Sequence, residues 1–219
     1  MMNILDDIID NAGLVLLFIN TILYLVSFKS HKNKRDYLLF TIYLIIISVI
    51  QAWSFYLAYD GGRDNLFLSH YYFILQFVLL SFFYESLFLK KQKKYVFSTL
   101  IIILIILTIR YINEPSRYFK FDLVEIFICS LPIVIYSIVY LYNSLNKSKG
   151  YLYINAGVLI YLSASTLIFI LGDYLSGQDI NKGIREIWMI NSFLYLLFLI
   201  LIFVFSICIM LPNIIYMSQ

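Results

Sequence analysis

The sequence predicts an all-α, polytopic membrane protein in which residues 1–219 form a single domain, a bundle of seven transmembrane helices. Three observations support this fold class. Hydrophobic residues make up 62% of the 219 residues, and the mean hydropathy is +0.87. Only 13% of the residues are charged, against about 25% in a typical soluble domain. The apolar residues also form seven long runs, and a run of about 20 residues crosses a hydrocarbon core of about 30 Å.

Short polar segments separate the seven runs. The acidic N-terminus, MMNILDDIIDN, lacks the basic region of a secretory signal, so the first run is predicted to be a retained span. The turn-forming DGGRDN ends the second run, and four lysines end the third. Pro115 is predicted to break the helix after the fourth run, and the seventh run is predicted to stop at Pro212. The predicted spans are residues 12–28, 37–59, 66–89, 95–111, 123–142, 151–175 and 187–211.

The distribution of lysine and arginine predicts the orientation of the chain. Segments 29–36, 90–94 and 144–150 hold ten of the sixteen basic residues. Because positive charge accumulates on the cytoplasmic side, we expect these segments and the C-terminus inside and the N-terminus outside. The same cations are expected to contact anionic lipids, and no nucleic-acid partner is predicted. The residues given this role are Lys29, Lys32, Lys34, Arg35, Lys90, Lys91, Lys93 and Lys94.

Several classes of membrane protein lack support in the residues. His31 and His70 are the only histidines, which disfavours paired haem ligands, and the seventh run has no lysine for retinal. Cys129 and Cys208 lie in apolar runs without metal-ligand spacing, and neither HExxH nor GxSxG occurs. We therefore predict no cofactor, no metal and no enzymatic activity.

Polar residues inside the runs recur at helical spacing, so each of six runs has one polar and aromatic face. With alternating direction, most of these groups fall in the predicted outer half, which would suit an outward-opening cavity. The candidates for ligand binding or for lining a polar cavity are Gln51, Tyr72, Gln76, Glu125, Tyr136, Thr166, Asn191 and Tyr195. Secondary candidates are His70, Arg110 and Asp173. The alternative is that these groups only form interhelical hydrogen bonds or anchor the interface.

His70 and Gln76 belong to different faces of the third span. At 100° per residue they point roughly 120° apart, so one pocket cannot hold both. Because Ser69, Tyr72 and Gln76 form the longer stripe, the sequence favours the Gln76 face as the one that looks into the bundle.

One family resemblance is visible in the sixth and seventh runs. The segments YLYINAGVLIYLSASTLIFILGDYL and IWMINSFLYLLFLILIF resemble seven-helix membrane sensor modules associated with bacterial sensor histidine kinases. The resemblance implies a bacterial inner-membrane protein that detects a signal. With no kinase recognisable in this sequence, the output would pass to a separate membrane or cytoplasmic protein.

Three functions are therefore considered. The first is a sensor or receptor-like module that relays a signal to a partner. The second is a non-catalytic subunit or scaffold of a larger inner-membrane complex for secretion, respiration or motility. The third is a small proton-coupled transporter with Glu125 and His70 as the coupling groups.

Overall fold

The computed structural model describes residues 2–31, 34–59, 65–145, 150–176 and 181–217, and these ranges contain helices and no strand. A short 3-10 helix, Pro115–Phe119, joins the fourth and fifth α-helices and is called the connector helix. The α-helices of the described residues are α1 (Met2–His31), α2 (Arg35–Tyr59), α3 (Phe67–Leu87), α4 (Lys90–Asn113), α5 (Leu123–Ser144), α6 (Leu152–Ser176) and α7 (Asn181–Met217).

Each α-helix contains a segment long and apolar enough to cross a membrane. Within the described residues these segments are Ile8–Phe28, Arg35–Ala58, Phe67–Leu87, Lys90–Asn113, Leu123–Ser144, Leu152–Gly172 and Ile187–Cys208. The all-helical fold and the seven predicted spans are thus confirmed, and the chain has the architecture of an integral membrane protein. The orientation of its termini and its single-domain organisation stay predictions.

The lysine block lies inside a helix, although the sequence suggested an interhelical segment. Helix α3 ends at Leu87, and Phe88 has an extended backbone. Helix α4 then begins at Lys90, where the Leu89 N–H donates to Gln92 Oε1 at 3.2 Å and the Gln92 N–H donates to the Leu89 carbonyl at 2.8 Å. The four lysines therefore form the first turns of α4.

Neither Pro132 nor Pro212 ends the helix that contains it. Pro132 lies inside α5, which continues to Ser144. The predicted stop at Pro212 is wrong, because α7 continues to Met217. A proline in a membrane helix removes one backbone hydrogen bond and is tolerated there more readily than in a soluble helix.

The chain divides into two compact units, His31–Tyr136 and Met1–Ser30 with Ser137–Gln219. In the first unit α3 packs against α2, α4 and the connector helix. The core there is aromatic: the Phe83 ring lies 5.2 Å from Phe40 and 5.4 Å from Tyr84. Aromatic side chains bury a large apolar area, which suits the close packing of α2 against α3.

In the second unit α6 packs against α7, and polar side chains join the other helices. Asn20 of α1 donates to the Leu199 carbonyl of α7 at 2.9 Å. Ser137 of α5 donates to Asn155 Oδ1 of α6 at 2.9 Å, and Asn155 Nδ2 donates to the Ser137 carbonyl at 3.2 Å. These are the interhelical hydrogen bonds expected of buried polar groups between membrane helices.

Candidate functional site

Ionisable side chains meet at the end of the first unit where α3 begins, α4 ends and α5 begins. His70 lies in the first turn of α3, Tyr111 in the last turn of α4 and Glu125 in the first turn of α5. His70 is 3% exposed and Glu125 is 1% exposed. Buried ionisable groups in membrane spans are energetically costly and commonly functional, so this is the leading candidate site.

Glu125 is the centre of the cluster because both other side chains hydrogen-bond to it. His70 Nδ1 lies 3.2 Å from Glu125 Oε1 and 3.1 Å from Oε2. The Tyr111 hydroxyl donates to Glu125 Oε2 and lies 2.8 Å from His70 Nδ1. A carboxylate that accepts from both an imidazole N–H and a phenol satisfies much of its demand for hydrogen bonds without water.

The connector helix covers this cluster. The Tyr118 ring stacks on the His70 imidazole at 5.9 Å between centroids and 22° between planes. Its hydroxyl lies 3.0 Å from that of Tyr71, and this hydrogen bond raises the pKa of Tyr118. A displacement of the connector helix would therefore change the surroundings of His70 directly.

A second chain of charges ties the connector to α4 and α5. Arg110 Nη2 lies 2.8 Å from Asp122 Oδ2, and the Asp122 side chain is only 6% exposed. Arg117 pairs with Glu114 at 2.6 Å and lies 3.7 Å from Asp122. The Glu114–Arg117 pair is half-exposed and contributes little, whereas the less exposed Arg110–Asp122 pair joins the end of α4 to the start of α5.

Asp122 also begins α5, and the local sequence explains this. The run DLVE places aspartate at the N-cap, where Asp122 Oδ1 accepts from the backbone N–H of Val124 at 3.0 Å and of Glu125 at 3.2 Å. Burial alone would raise the pKa of Asp122, but the Arg110 guanidinium and these amides outweigh burial and hold the pKa below its usual value. Glu125 occupies the third helical position, the one that completes a capping box, yet its carboxylate turns to His70 instead.

Substitution of Asp122 separates its two roles. Asp122→Ala is expected to lower the free energy of unfolding by about 1–2 kcal/mol at pH 7, because it removes the helix cap together with the partner of Arg110. Asp122→Asn keeps the cap and should cost less. Because the folded-state pKa is depressed, the stability due to charge is present above about pH 4 and is lost as the pH falls further. Reversible detergent-induced unfolding at pH 7 and pH 3 measures this, and a gap between wild type and Asp122→Asn that is as large at pH 3 as at pH 7 would contradict it.

The cluster can hold and redistribute a proton, since it combines an imidazole, a carboxylate and a phenol within hydrogen-bond distance. It does not resemble a metal site: no group of three or more His, Cys, Asp or Glu ligands occurs among the described residues. Such a cluster suits a charge-dependent conformational switch at least as well as chemistry on a substrate.

The structure brings only some of the predicted site residues together. Both faces of α3 are buried, because the helix has neighbours on several sides. Its Gln76 face meets α2, where Gln76 Nε2 donates to Tyr43 at 3.3 Å and to Tyr72 at 3.5 Å. His70, the secondary candidate, lies on the face that carries the charged cluster. Arg110, also secondary, is joined to that cluster through Asp122.

The remaining candidates are described by their surroundings within their own units. Gln51 is half-buried on α2. Tyr136 is buried against Tyr84 and Phe88, and Thr166 Oγ1 donates to the Leu162 carbonyl of its own helix. In the second unit Asn191 and Tyr195 are half-buried on α7, with the Tyr195 ring 5.4 Å from Tyr161. The side chain of Asp173 lies outside the described part of the chain.

The predicted topology cations gather at the opposite end of α3. Lys34, Lys90, Lys91 and Lys94 are exposed, and Arg35 and Lys93 both pair with Glu85 at 3.0 Å. Lys32 and the side chain of Lys29 are outside the described residues. The lysine partner of Glu85 is Lys93, eight residues further along the chain, because the chain turns at Phe88 between α3 and α4.

Sequence reasoning missed Tyr111, Tyr118 and Asp122 as members of the site. Tyr111 was assigned only as the last residue of a span, and the connector only as a break at Pro115. Two signals were present: the capping pattern DLVE, and a connector so short that the ends of α4 and α5 must be neighbours.

Fold and site together define the class of this protein. It is an integral membrane protein of seven apolar helices in its described residues, with a buried ionisable cluster under a short interhelical connector. The chain matches no known family model, no curated protein and no solved structure.

Proposed function

We propose that this chain is a sensor or receptor-like membrane module that relays a signal to a separate protein partner. The observation that carries the proposal is the His70–Tyr111–Glu125 cluster. His70 and Glu125 are buried, and Tyr118 of the connector helix stacks on His70. A stimulus at the connector, or a change of proton concentration beside it, alters the charge of the cluster. The cluster then alters the position of α5, which carries Glu125.

The position of the cluster favours a sensor over a transporter. His70, Tyr111 and Glu125 all lie within the first or last turn of their helices. Secondary transporters bind their substrates and coupling ions near the middle of the membrane, commonly where helices are interrupted. A cluster at the ends of the spans, tied to an extramembrane connector, is instead accessible to a signal from one side.

Helix α5 provides a continuous route for the relay. Glu125 is near its start, in the first unit, and Ser137 lies in the part of α5 that belongs to the second. Within the second unit α5 is joined to α6 by two hydrogen bonds between Ser137 and Asn155. Helix α6 in turn packs against α7. The proposal is that a shift of α5 is passed to α7, from which a partner reads it.

A fluorophore on Cys208 tests this relay. Cys208 is exposed on α7, whereas Cys129 is buried, so a thiol reagent labels one site. In nanodiscs, lowering the pH from 8 to 5 is expected to change the emission of the label, because a histidine ordinarily changes charge in this range. Besides Glu125, the ionisable groups near His70 and Tyr111 are Asp122 with its partner Arg110, Cys129 and Tyr118.

Two variants locate the origin and the route of the response. Glu125→Gln is expected to remove most of the change, and Asn155→Leu should reduce it while leaving the cluster intact. Gln76→Leu, on the other face of α3, is the matched control and should respond as wild type does. An equal response in wild type and Glu125→Gln would overturn the proposal, as would a response lost equally in Gln76→Leu.

Capture of the partner tests the relay at its end. Crosslinking from native membranes at pH 8 and pH 5 should yield a partner whose recovery changes with pH in wild type and not in Glu125→Gln. Recovery at a constant ratio in every condition would instead favour the role of a complex subunit.

The proposed location is a bacterial inner membrane with the N-terminus outside. The uneven distribution of basic residues supports this orientation.

A further inference from the structure

A cavity of about 350 Å³ lies at the other end of α3, between the start of α2 and the first turns of α4. It belongs to the first unit and is separate from the His70 cluster. Apolar side chains of α3 and α4 line it together with four charged side chains and one serine. The lining residues are Arg35, Ser81, Phe82, Glu85, Lys93, Lys94, Val96, Phe97 and Leu100.

The charges in this cavity favour an anion. Three cations, Arg35, Lys93 and Lys94, line it together with one acid, Glu85. Glu85 pairs with both Arg35 and Lys93 at 3.0 Å, and among the described residues Lys94 has no ion-pair partner. Lys93 and Lys94 lie in the first turns of α4, a helix whose first turn contains no acid. The helix dipole therefore adds to an excess of positive charge.

Ser81 provides an independent sign of a ligand. Its side chain is 0% exposed and lines the cavity, and in the described part of the chain its hydroxyl has no hydrogen-bond partner. Elsewhere the protein satisfies such hydroxyls within the helix, as Thr41 and Ser206 do by donating to the carbonyl four residues earlier. An unpaired buried hydroxyl is energetically costly, so a bound acceptor would stabilise the folded protein.

The apolar wall identifies the occupant as an amphiphile. Val96, Phe97 and Leu100 follow the cations along α4, and Phe97 is 56% exposed. A free phosphate ion would leave this apolar surface uncovered, whereas an acyl chain covers it. The order of cations and then apolar residues along one helix is that of a lipid headgroup followed by its chain.

We propose that this cavity binds one phospholipid with an anionic headgroup. The phosphate lies among Arg35, Lys93 and Lys94, an acyl chain lies along Val96 and Leu100, and Ser81 donates to an ester or phosphate oxygen. The binding is specific to this cavity, in contrast to the general attraction of basic segments to an anionic membrane surface. The proposal does not depend on the signalling role of the His70 cluster.

Native mass spectrometry of the full chain tests the proposed phospholipid site. Phosphatidylglycerol or phosphatidylcholine is titrated in detergent at 0.3 M salt, because this salt concentration screens long-range attraction. Wild type is expected to retain one phosphatidylglycerol in preference to phosphatidylcholine. Lys93→Gln with Lys94→Gln should weaken its retention by at least about tenfold, since each of the two lysines contributes up to about fivefold near an anionic headgroup. Circular dichroism confirms that the variants fold.

The matched control is Lys90→Gln with Lys91→Gln, which removes the same charge from the same helix end but from side chains outside the cavity. It should retain phosphatidylglycerol to within about twofold of wild type, the residual long-range attraction being screened. Equal weakening by the two double variants would overturn the proposal, because it indicates attraction to the surface alone. Thermal stabilisation by inorganic phosphate equal to that by phosphatidylglycerol would also overturn it, because the site would then be an ion site.

Discussion

His70→Phe is expected to lower the free energy of unfolding by about 2–4 kcal/mol, one of the two largest effects that a single substitution should have in this chain. The phenyl ring fills the volume but leaves the Glu125 carboxylate, 1% exposed, with Tyr111 as its remaining side-chain partner. Such a carboxylate must either stay charged in an apolar environment or take up a proton. Unfolding by sodium dodecyl sulfate in mixed micelles, followed by circular dichroism, measures the loss.

The double variant His70→Phe, Glu125→Leu is expected to recover most of this stability. Replacement of both members of a buried pair by apolar side chains is often neutral, whereas removal of one is not. The two substitutions should therefore be coupled by well over about 0.5 kcal/mol, the scale of additivity for independent sites. Additive losses would contradict the view that the two side chains act as one unit.

Tyr71→Phe is the control for this cycle. Tyr71 is adjacent to His70 in the chain, but its side chain is 46% exposed, and its hydroxyl contacts Tyr118 at 3.0 Å. Removal of an exposed hydroxyl should cost less than about 1 kcal/mol. A loss as large as that of His70→Phe would mean that the connector contact, and not the buried pair, carries the stability of this region.

Gly157→Leu is expected to cause the other large loss, about 1–3 kcal/mol or more, through overpacking of α6 against α7. Even a single Cβ at Gly157 would lie 2.7 Å from Phe198 Cδ2 and 3.4 Å from Leu201 Cδ1. The Phe198 ring is 2% exposed and stacks on Tyr161 at 5.5 Å, so it has little room to move. Small residues at such contacts let membrane helices approach closely.

Gly150→Leu provides the comparison for Gly157. A Cβ at Gly150 meets nothing within 4 Å, so the larger side chain extends into open space. The same unfolding assay should show a change of less than about 0.5 kcal/mol. Equal losses at the two positions would contradict the close approach of α6 and α7.

The spans were predictable because hydropathy is a local property that adds up along the chain. All seven predicted runs lie within observed helices or overlap them closely, and α5, predicted over 123–142, is Leu123–Ser144. Helix ends were less predictable. At the start of α4, the Leu89 N–H is bonded by the side chain of a single glutamine, Gln92. The charge of the four lysines gave no reason to place them in the first turns of a helix.

Which residues form the site depends on the rotation and neighbours of each helix. On α5, Glu125, Cys129, Pro132, Tyr136 and Tyr140 recur at helical spacing, and all five are buried. For α3 the longer polar stripe favoured the Gln76 face as the one that looks into the bundle. Both faces of the helix are buried, however, so the length of a stripe does not show which face carries the site. His70 became central only because Tyr111, Tyr118 and Glu125 come from three other elements.

By itself the sequence determined that the protein consists of membrane-crossing helices, because apolar runs of this length require a lipid or protein environment and complete backbone hydrogen bonding. It also determined which faces are polar, because helical spacing is regular. Only the tertiary structure decided which polar faces meet, at the His70–Tyr111–Glu125 cluster and between Ser137 and Asn155. The physical reason is that partners far apart in the chain meet only once helices have packed, and packing depends on the shape of every side chain between them.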